Sequence, residues 1–278
     1  LQKIAEGAQT SITGITPIAN KDNRTMSLIG VIGGSMIKSI NGRTQYLNAT
    51  SAKTNPSPLE NALSGITQVS ISNMDEAGLP PSLVATASKS VVGSLVGSLD
   101  EGGLSKNQIG GALKNITSKA VDSLDQIEGI SPSDITSSLK EITSGATSAL
   151  DQIEVSDYSA SDLGEMVQEI SSGATQALGN IEIDGISSDN LSSMMEKVTA
   201  GATGALGQIS MEGYSSSNLT TMLSKITSGA TSALGDIEME GYSSNNLSMM
   251  VEKITAGATS ALDEIQLEGF SSDRKSVV

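Results

Sequence analysis

Few residues in this chain could do chemistry. It has no His and no Cys, so it offers no imidazole base, no thiolate nucleophile and no His- or Cys-ligated metal. A Ser–Lys pair or a carboxylate dyad would be the remaining catalytic options. Carboxylates do recur, at Glu182 and Asp184, Glu238 and Glu240, and Glu268. Together they could form an acidic edge that collects Ca²⁺, but no segment has the dense oxygen spacing of an EF-hand loop. A solvated edge is the plainer reading, and neither metal nor cofactor is expected. Threonines recur as well, at Thr147, Thr175, Thr203, Thr231 and Thr259. Stacked in register they would make a flat Thr/Ala ladder, the kind of surface that ice or mineral binding needs. Asn-x-Ser/Thr sequons stand at Asn23, Asn48, Asn115, Asn190, Asn218 and Asn246. The last three are one repeated Asn-Leu-Ser/Thr, which helix-start chemistry explains without glycans.

These features recur because the chain does. Ile142 to Leu150 reads Ile-Thr-Ser-Gly-Ala-Thr-Ser-Ala-Leu, and variants of it begin at Ile170, Val198, Ile226 and Ile254, each 28 residues on. Ile116 to Leu124 is a copy offset by 26. Fainter copies span Ile4 to Ile12 and Ile32 to Ile40, another is expected around Leu59 to Ile66, and one ends at Leu95. Self-similarity at a fixed period of this size signals a repeat architecture. Residues 1–110 therefore read as degenerate copies and 111–272 as regular ones, about ten in all. A catalytic pair inside such a unit would be duplicated in every copy, so the chain is not expected to be an enzyme.

Within one unit, Leu191, Met194, Met195, Val198, Ala202, Ala205, Leu206 and Ile209 form a single apolar stripe at helical spacing. Ser187 to Asn190 supply N-cap side chains before it. Gly213 followed by Tyr214 reads as a Schellman stop, with Tyr214 folding back on Ile209. Gly185, Gly241 and Gly269 take the same place, and Tyr158 and Tyr242 match Tyr214. Each unit is then one helix of about 22 residues, with a linker of about five such as Tyr214 to Asn218. Such a linker is too short to run back along the helix, so neighbours are expected to be antiparallel. Gly145, Gly173, Gly201, Gly229 and Gly257 sit mid-helix, where each costs about 1 kcal/mol relative to Ala. Close helix packing would repay that cost. The expected fold is all-α, an elongated α-solenoid or multi-helix array of single-helix repeats.

A second architecture competes with this one. Leu234-x-x-Ile237-x-Met239 resembles the strand core of a leucine-rich repeat, as do Leu178, Ile181, Ile183 and Leu262, Ile265, Leu267. That resemblance implies an α/β solenoid. The chain departs from the pattern where an Asn or Cys should follow, since Tyr242 or an equivalent stands there.

Composition narrows the function. A net charge of −15 argues against nucleic acid, which needs a basic footprint. No stretch is apolar enough to read as a membrane span. With aromatics at 2%, the core must be built from aliphatic side chains. Asp273 to Val278 breaks the repeat and matches a translated sequencing adapter. The expectation is therefore a non-native tail on a fragment of a longer natural array, with its signal sequence absent. The function expected is a structural or binding scaffold in a secreted or surface-displayed microbial protein, for an unknown protein or surface partner. End-to-end self-association is a further expectation. An ice- or surface-binding protein using the Thr ladder, and a membrane-active assembly of amphipathic helices, are the alternatives.

Overall fold

The computed structural model describes residues 58–74, 79–99, 104, 106–153, 158–181, 186–210, 214–237 and 243–265, and the single residue Ser35. The copies at Ile4 to Ile12 and, apart from Ser35, Ile32 to Ile40 lie outside them, as do Gly185, Gly213, Gly241, Gly269, Tyr242 and the linker carboxylates.

The described residues form an all-helical structure. Its helices are α1 (Pro58–Ser72), α2 (Pro81–Gly97), α3 (Lys106–Asp122), α4 (Pro132–Ser148), α5 (Ala160–Ala177), α6 (Ser188–Ala205), α7 (Ser216–Leu234) and α8 (Ser244–Ser260). Each of α4 to α8 starts in the same way. The hydroxyl of Ser131, Ser159, Ser187, Ser215 or Ser243 accepts from the backbone N–H three residues on. In return, the Asp134, Asp162, Asn190, Asn218 or Asn246 side chain accepts from the serine N–H. This reciprocal box satisfies two donors that a helix start would otherwise leave orphaned. The three repeated sequon asparagines therefore sit at N3 of these boxes.

The helix ends differ from the expected stop. The α-helix does not run 22 residues but 17 to 19 in α4 to α8. After α3, α4, α5, α6 and α8 it tightens into a 3₁₀ turn, at Leu124–Gln126, Ala149–Gln152, Leu178–Asn180, Leu206–Gln208 and Ala261–Glu264. Bonds such as Ile153 N–H to Leu150 O and Ile209 N–H to Leu206 O, both 3.2 Å, close these ends. Tightening lets the terminal Leu and the extended Ile beside it both enter the core, where Leu150, Ile153, Leu206 and Ile209 are buried. The helix thus stops at Leu206, in right-handed conformation (φ −58°), well before Gly213. Tyr214 does not serve a Schellman cap: its hydroxyl donates to the Tyr158 carbonyl at 3.5 Å. One linker glycine is described, Gly129, at φ +75°. It sits in a turn closed by Ile130 N–H to Ile127 O, a backbone geometry that disfavours any side chain. The linker itself lies between the 3₁₀ turn and the serine cap, since Ser216 to Asn218 already belong to α7.

The leucine-rich-repeat alternative is not supported. No strand occurs among the described residues, and the first of the would-be strand positions falls on a helix end in each unit; Ile183, Met239 and Leu267 lie outside the described residues. Leu234 closes α7, while Leu178 and Leu262 lie in 3₁₀ turns. The apolar stripe decides the matter, because every one of its eight members from Leu191 to Ile209 is buried.

Packing skips a helix. Broad contacts join α1 to α3, α3 to α5 and α5 to α7, and likewise α2 to α4, α4 to α6 and α6 to α8. Consecutive helices touch only sparsely. Two rows result, of odd and even helices, around one continuous aliphatic core. Within a row like ends meet. Tyr214 bonds Tyr158 before the two helix starts, and Ser210 N–H donates to Asp151 at 2.8 Å beyond the two ends.

Removing one cap tests how the helix starts are held. Ser187→Ala should lower stability by about 1 kcal/mol and Ser187→Gly by only a few tenths, as read from the urea midpoint. Equal losses for the two would show that the hydroxyl is not what caps α6.

Candidate functional site

The most built-up feature of the described residues is the seam between helices of one row. Its first half is the mid-helix glycine. A Cβ added at Gly173 would lie 2.5 Å from Lys114 O, 2.6 Å from Thr117 Oγ1 and 3.1 Å from Lys114 Cα. At Gly145 it would lie 2.5 Å from Lys89 O and 3.1 Å from Lys89 Cα. At Gly201, Gly229 and Gly257 it would collide with the carbonyls of Lys140, Gln168 and Glu196. All five glycines therefore rest on the backbone of the helix two earlier. The mid-helix cost of glycine is offset by an approach that no side chain would permit.

The second half of the seam is the surface that receives the glycine. Thr117, Thr143 and Thr199 stand beside it, each bonding carbonyls of its own helix. Thr117 Oγ1 donates to Leu113 O at 2.8 Å and Thr143 Oγ1 to Leu139 O at 2.9 Å. Thr199 Oγ1 has Met195 O at 3.2 Å and Glu196 O at 3.1 Å, and it also reaches Ile254 O of α8 at 3.0 Å. A small β-branched side chain keeps the backbone accessible while covering its own polar atom. One seam breaks the rule. In α3 the glycine place is held by Lys119, and the α1–α3 contact is the narrowest within a row.

Charged groups ornament this seam. Lys253 pairs with Glu196 at 2.7 Å across α8 and α6; the hydrogen bond to Glu196, and then its charge, hold the ammonium above its usual pKa. Lys89 pairs with Glu141 at 3.0 Å across α2 and α4. Both pairs face solvent, where such contacts contribute little. The Tyr214 phenol is raised above its usual pKa by burial and then by the Asp162 carboxylate. Gly110, Asp162, Glu165, Glu169 and Lys225 line an open groove across α3, α5 and α7. Asp162 is already committed there to the α5 cap, accepting from Ser159 N–H at 2.7 Å. Among the described residues no group of three or more His, Cys, Asp or Glu is placed to hold a metal ion.

The five repeated threonines do not share one surface. Thr147, Thr175 and Thr203 are buried (0% exposed), and their hydroxyls have no hydrogen-bond partner. Only Thr231 and Thr259 are exposed. The exposed Thr259 back-bonds to Thr255 O at 2.9 Å. A threonine beside the seam glycine lies on the covered side of its helix, which equal spacing in the sequence could not reveal. The receiving residues Lys114, Lys140, Gln168 and Glu196 were also missed, although they recur as regularly as the glycines.

Compared with known proteins, the chain matches no family model, and no curated protein matches it significantly.

Two substitution pairs follow. Gly173→Ala should destabilise by about 1–3 kcal/mol through overpacking, despite the better helix propensity of Ala. Gly111→Ala, in α3 with nothing near its Cβ position, should instead stabilise by about 0.5–1 kcal/mol. Chemical denaturation of both reads the sign, and a stabilising Gly173→Ala would sink the seam. Thr175→Val should raise stability, by up to about 1 kcal/mol, because it removes a buried hydroxyl that bonds nothing. Thr259→Val, which loses a made bond, should give no gain. A melting series across the two separates these outcomes.

Proposed function

We propose that this chain is a repeat scaffold, an elongated α-solenoid of single-helix units whose job is structural or to present a binding surface. The glycine–carbonyl seam carries this reading, since it recurs along both rows and invests the most regular residues of the unit in holding the next helix but one. A Cβ placed at Gly129, past the end of α3, would lie 4.0 Å from Pro81 Cγ at the start of α2. That proximity fits consecutive units running antiparallel. No helix among the described residues is long and apolar enough to cross a membrane.

On this reading the repeated side chains hold helices together and perform no reaction, so the chain is a scaffold rather than an enzyme. The net charge of −15 favours a protein or other non-nucleic-acid partner. A secreted or surface-displayed setting suits a Cys-free acidic chain rich in Ser, Thr and Gly.

Modularity is the test. In a quasi-one-dimensional array, stability is close to a sum over units and neighbour contacts. Deleting Leu191 to Asn218 rejoins Asn190 to Leu219 in register and removes one whole unit. The shortened chain should fold cooperatively with unchanged helicity per residue by circular dichroism and a modestly lower melting temperature. A deletion product without cooperative unfolding would overturn the array reading.

A further inference from the structure

Whatever holds an array together recurs in every unit, so a feature confined to one unit is where a specific task would show. Two such departures meet on one face of the odd row. The first is in α5, where Glu165 and Glu169 stand one helical turn apart. In α4, α6, α7 and α8 the place of Glu165 is taken by Ser137, Ser193, Thr221 and Met249, so none of those helices carries the pair. Like charges at this spacing repel, and neither glutamate enters the ion pairs that tie neighbouring helices of the other row. The second departure is in α3, where Gly110 and Gly111 stand side by side within the helix. Unlike the seam glycines, packing does not demand them. A Cβ at Gly111 would meet nothing within 4 Å, and one at Gly110 would make an ordinary contact with Glu169 Cγ at 3.7 Å. A glycine pair weakens a helix. Here it leaves bare backbone beside the α5 carboxylates, which lets a ligand approach closely.

Both departures line the same groove, of about 490 Å³, which Asp162, Met166 and, from α7, Lys225 help to complete. Three carboxylates and one ammonium give that lining a negative sign. No group of three or more carboxylates among the described residues is placed to hold a metal ion, so separated cations, rather than one ion, are the complement. Alternate side chains of an extended peptide lie about 6.7 Å apart, close to the roughly 5–6 Å between helix positions one turn apart. Two basic residues separated by one other therefore reach Glu165 and Glu169 together. Arginine suits them best, because its planar fork bonds a carboxylate through two donors. We propose that this groove docks an extended, arginine-bearing segment of a partner protein. Its main chain lies along Gly110 and Gly111, and alternate guanidinium groups meet Glu165 and Glu169. The proposal rests on the scaffold reading above and gives that scaffold a partner of stated chemistry.

Fluorescence anisotropy tests it, with the full chain titrated into a dye-labelled peptide of alternating Arg and Thr at physiological salt. The expected result is saturable binding. Replacing both carboxylates, Glu165→Gln with Glu169→Gln, should weaken it about tenfold or more. A chain of net charge −15 attracts any cationic peptide diffusely, so the control removes two exposed carboxylates from the other row. Asp189→Asn with Glu252→Gln lowers the net charge equally and should leave affinity within about twofold. Gly111→Leu fills the groove without touching a charge and should weaken binding as much as the double Gln variant. Leucine favours a helix more than glycine does, and circular dichroism checks that every variant keeps wild-type helicity. A wild-type chain that does not bind the peptide overturns the proposal. So does undiminished binding by the double Gln variant or by Gly111→Leu, or an equal loss in the control. Absent binding beside a cooperatively folded Leu191–Asn218 deletion would remove the groove and leave the array standing.

Discussion

Close approach of backbone to backbone between helices two apart is the constraint from which the rest of this fold follows. Five helices carry a glycine whose missing side chain is filled by a carbonyl of another helix. Once that contact is fixed, the intervening helix must lie in the other row, which explains its sparse contact with its sequence neighbours. It also sets the length of the turn between units and the face on which aliphatic residues must lie. A mid-helix glycine is costly in isolation, and its recurrence makes sense only against the partner it admits.

The buried hydroxyls belong to the same economy of space. Thr117, Thr143 and Thr199 bond carbonyls of their own helix and so bring polarity into the seam without an orphaned atom. Thr147, Thr175 and Thr203 lie unbonded in the interior, which is harder to account for on stability alone, since valine has nearly the same shape. Nothing in the structure explains that choice.

Much of this was legible before any coordinates. Ser187 and Asn190 announced a helix start, and Leu191 to Ile209 announced a buried stripe, because capping and amphipathicity are local and leave periodic marks. The close approach at Gly201 was legible too, since a repeated mid-helix glycine has few other uses. Its partner was not. A regular repeat makes unit n−1 and unit n−2 nearly alike in sequence, so no pattern could say which of them Gly201 touches. The same ambiguity put Thr147, Thr175 and Thr203 on an imagined surface. The helix end was misread for a different reason: Gly213 is a strong stop signal, while the earlier tightening at Leu206 arises from burial of Leu206 and Ile209, a tertiary demand that overrides local preference.

Skipping a helix also has a kinetic consequence. The bonds and ion pairs that tie a row together span 52 to 59 residues, so two consecutive units cannot close a seam between themselves. Three must be present before the first backbone contact forms, which places the closing of a large loop ahead of any reward from packing. During synthesis, however, each new helix meets a receiving face completed two units earlier. Growth from the N-terminal side is then templated, whereas refolding of the whole chain must choose among receiving faces that look alike. Register errors between rows, rather than failure of any single helix, are the misfolding hazard this arrangement builds in.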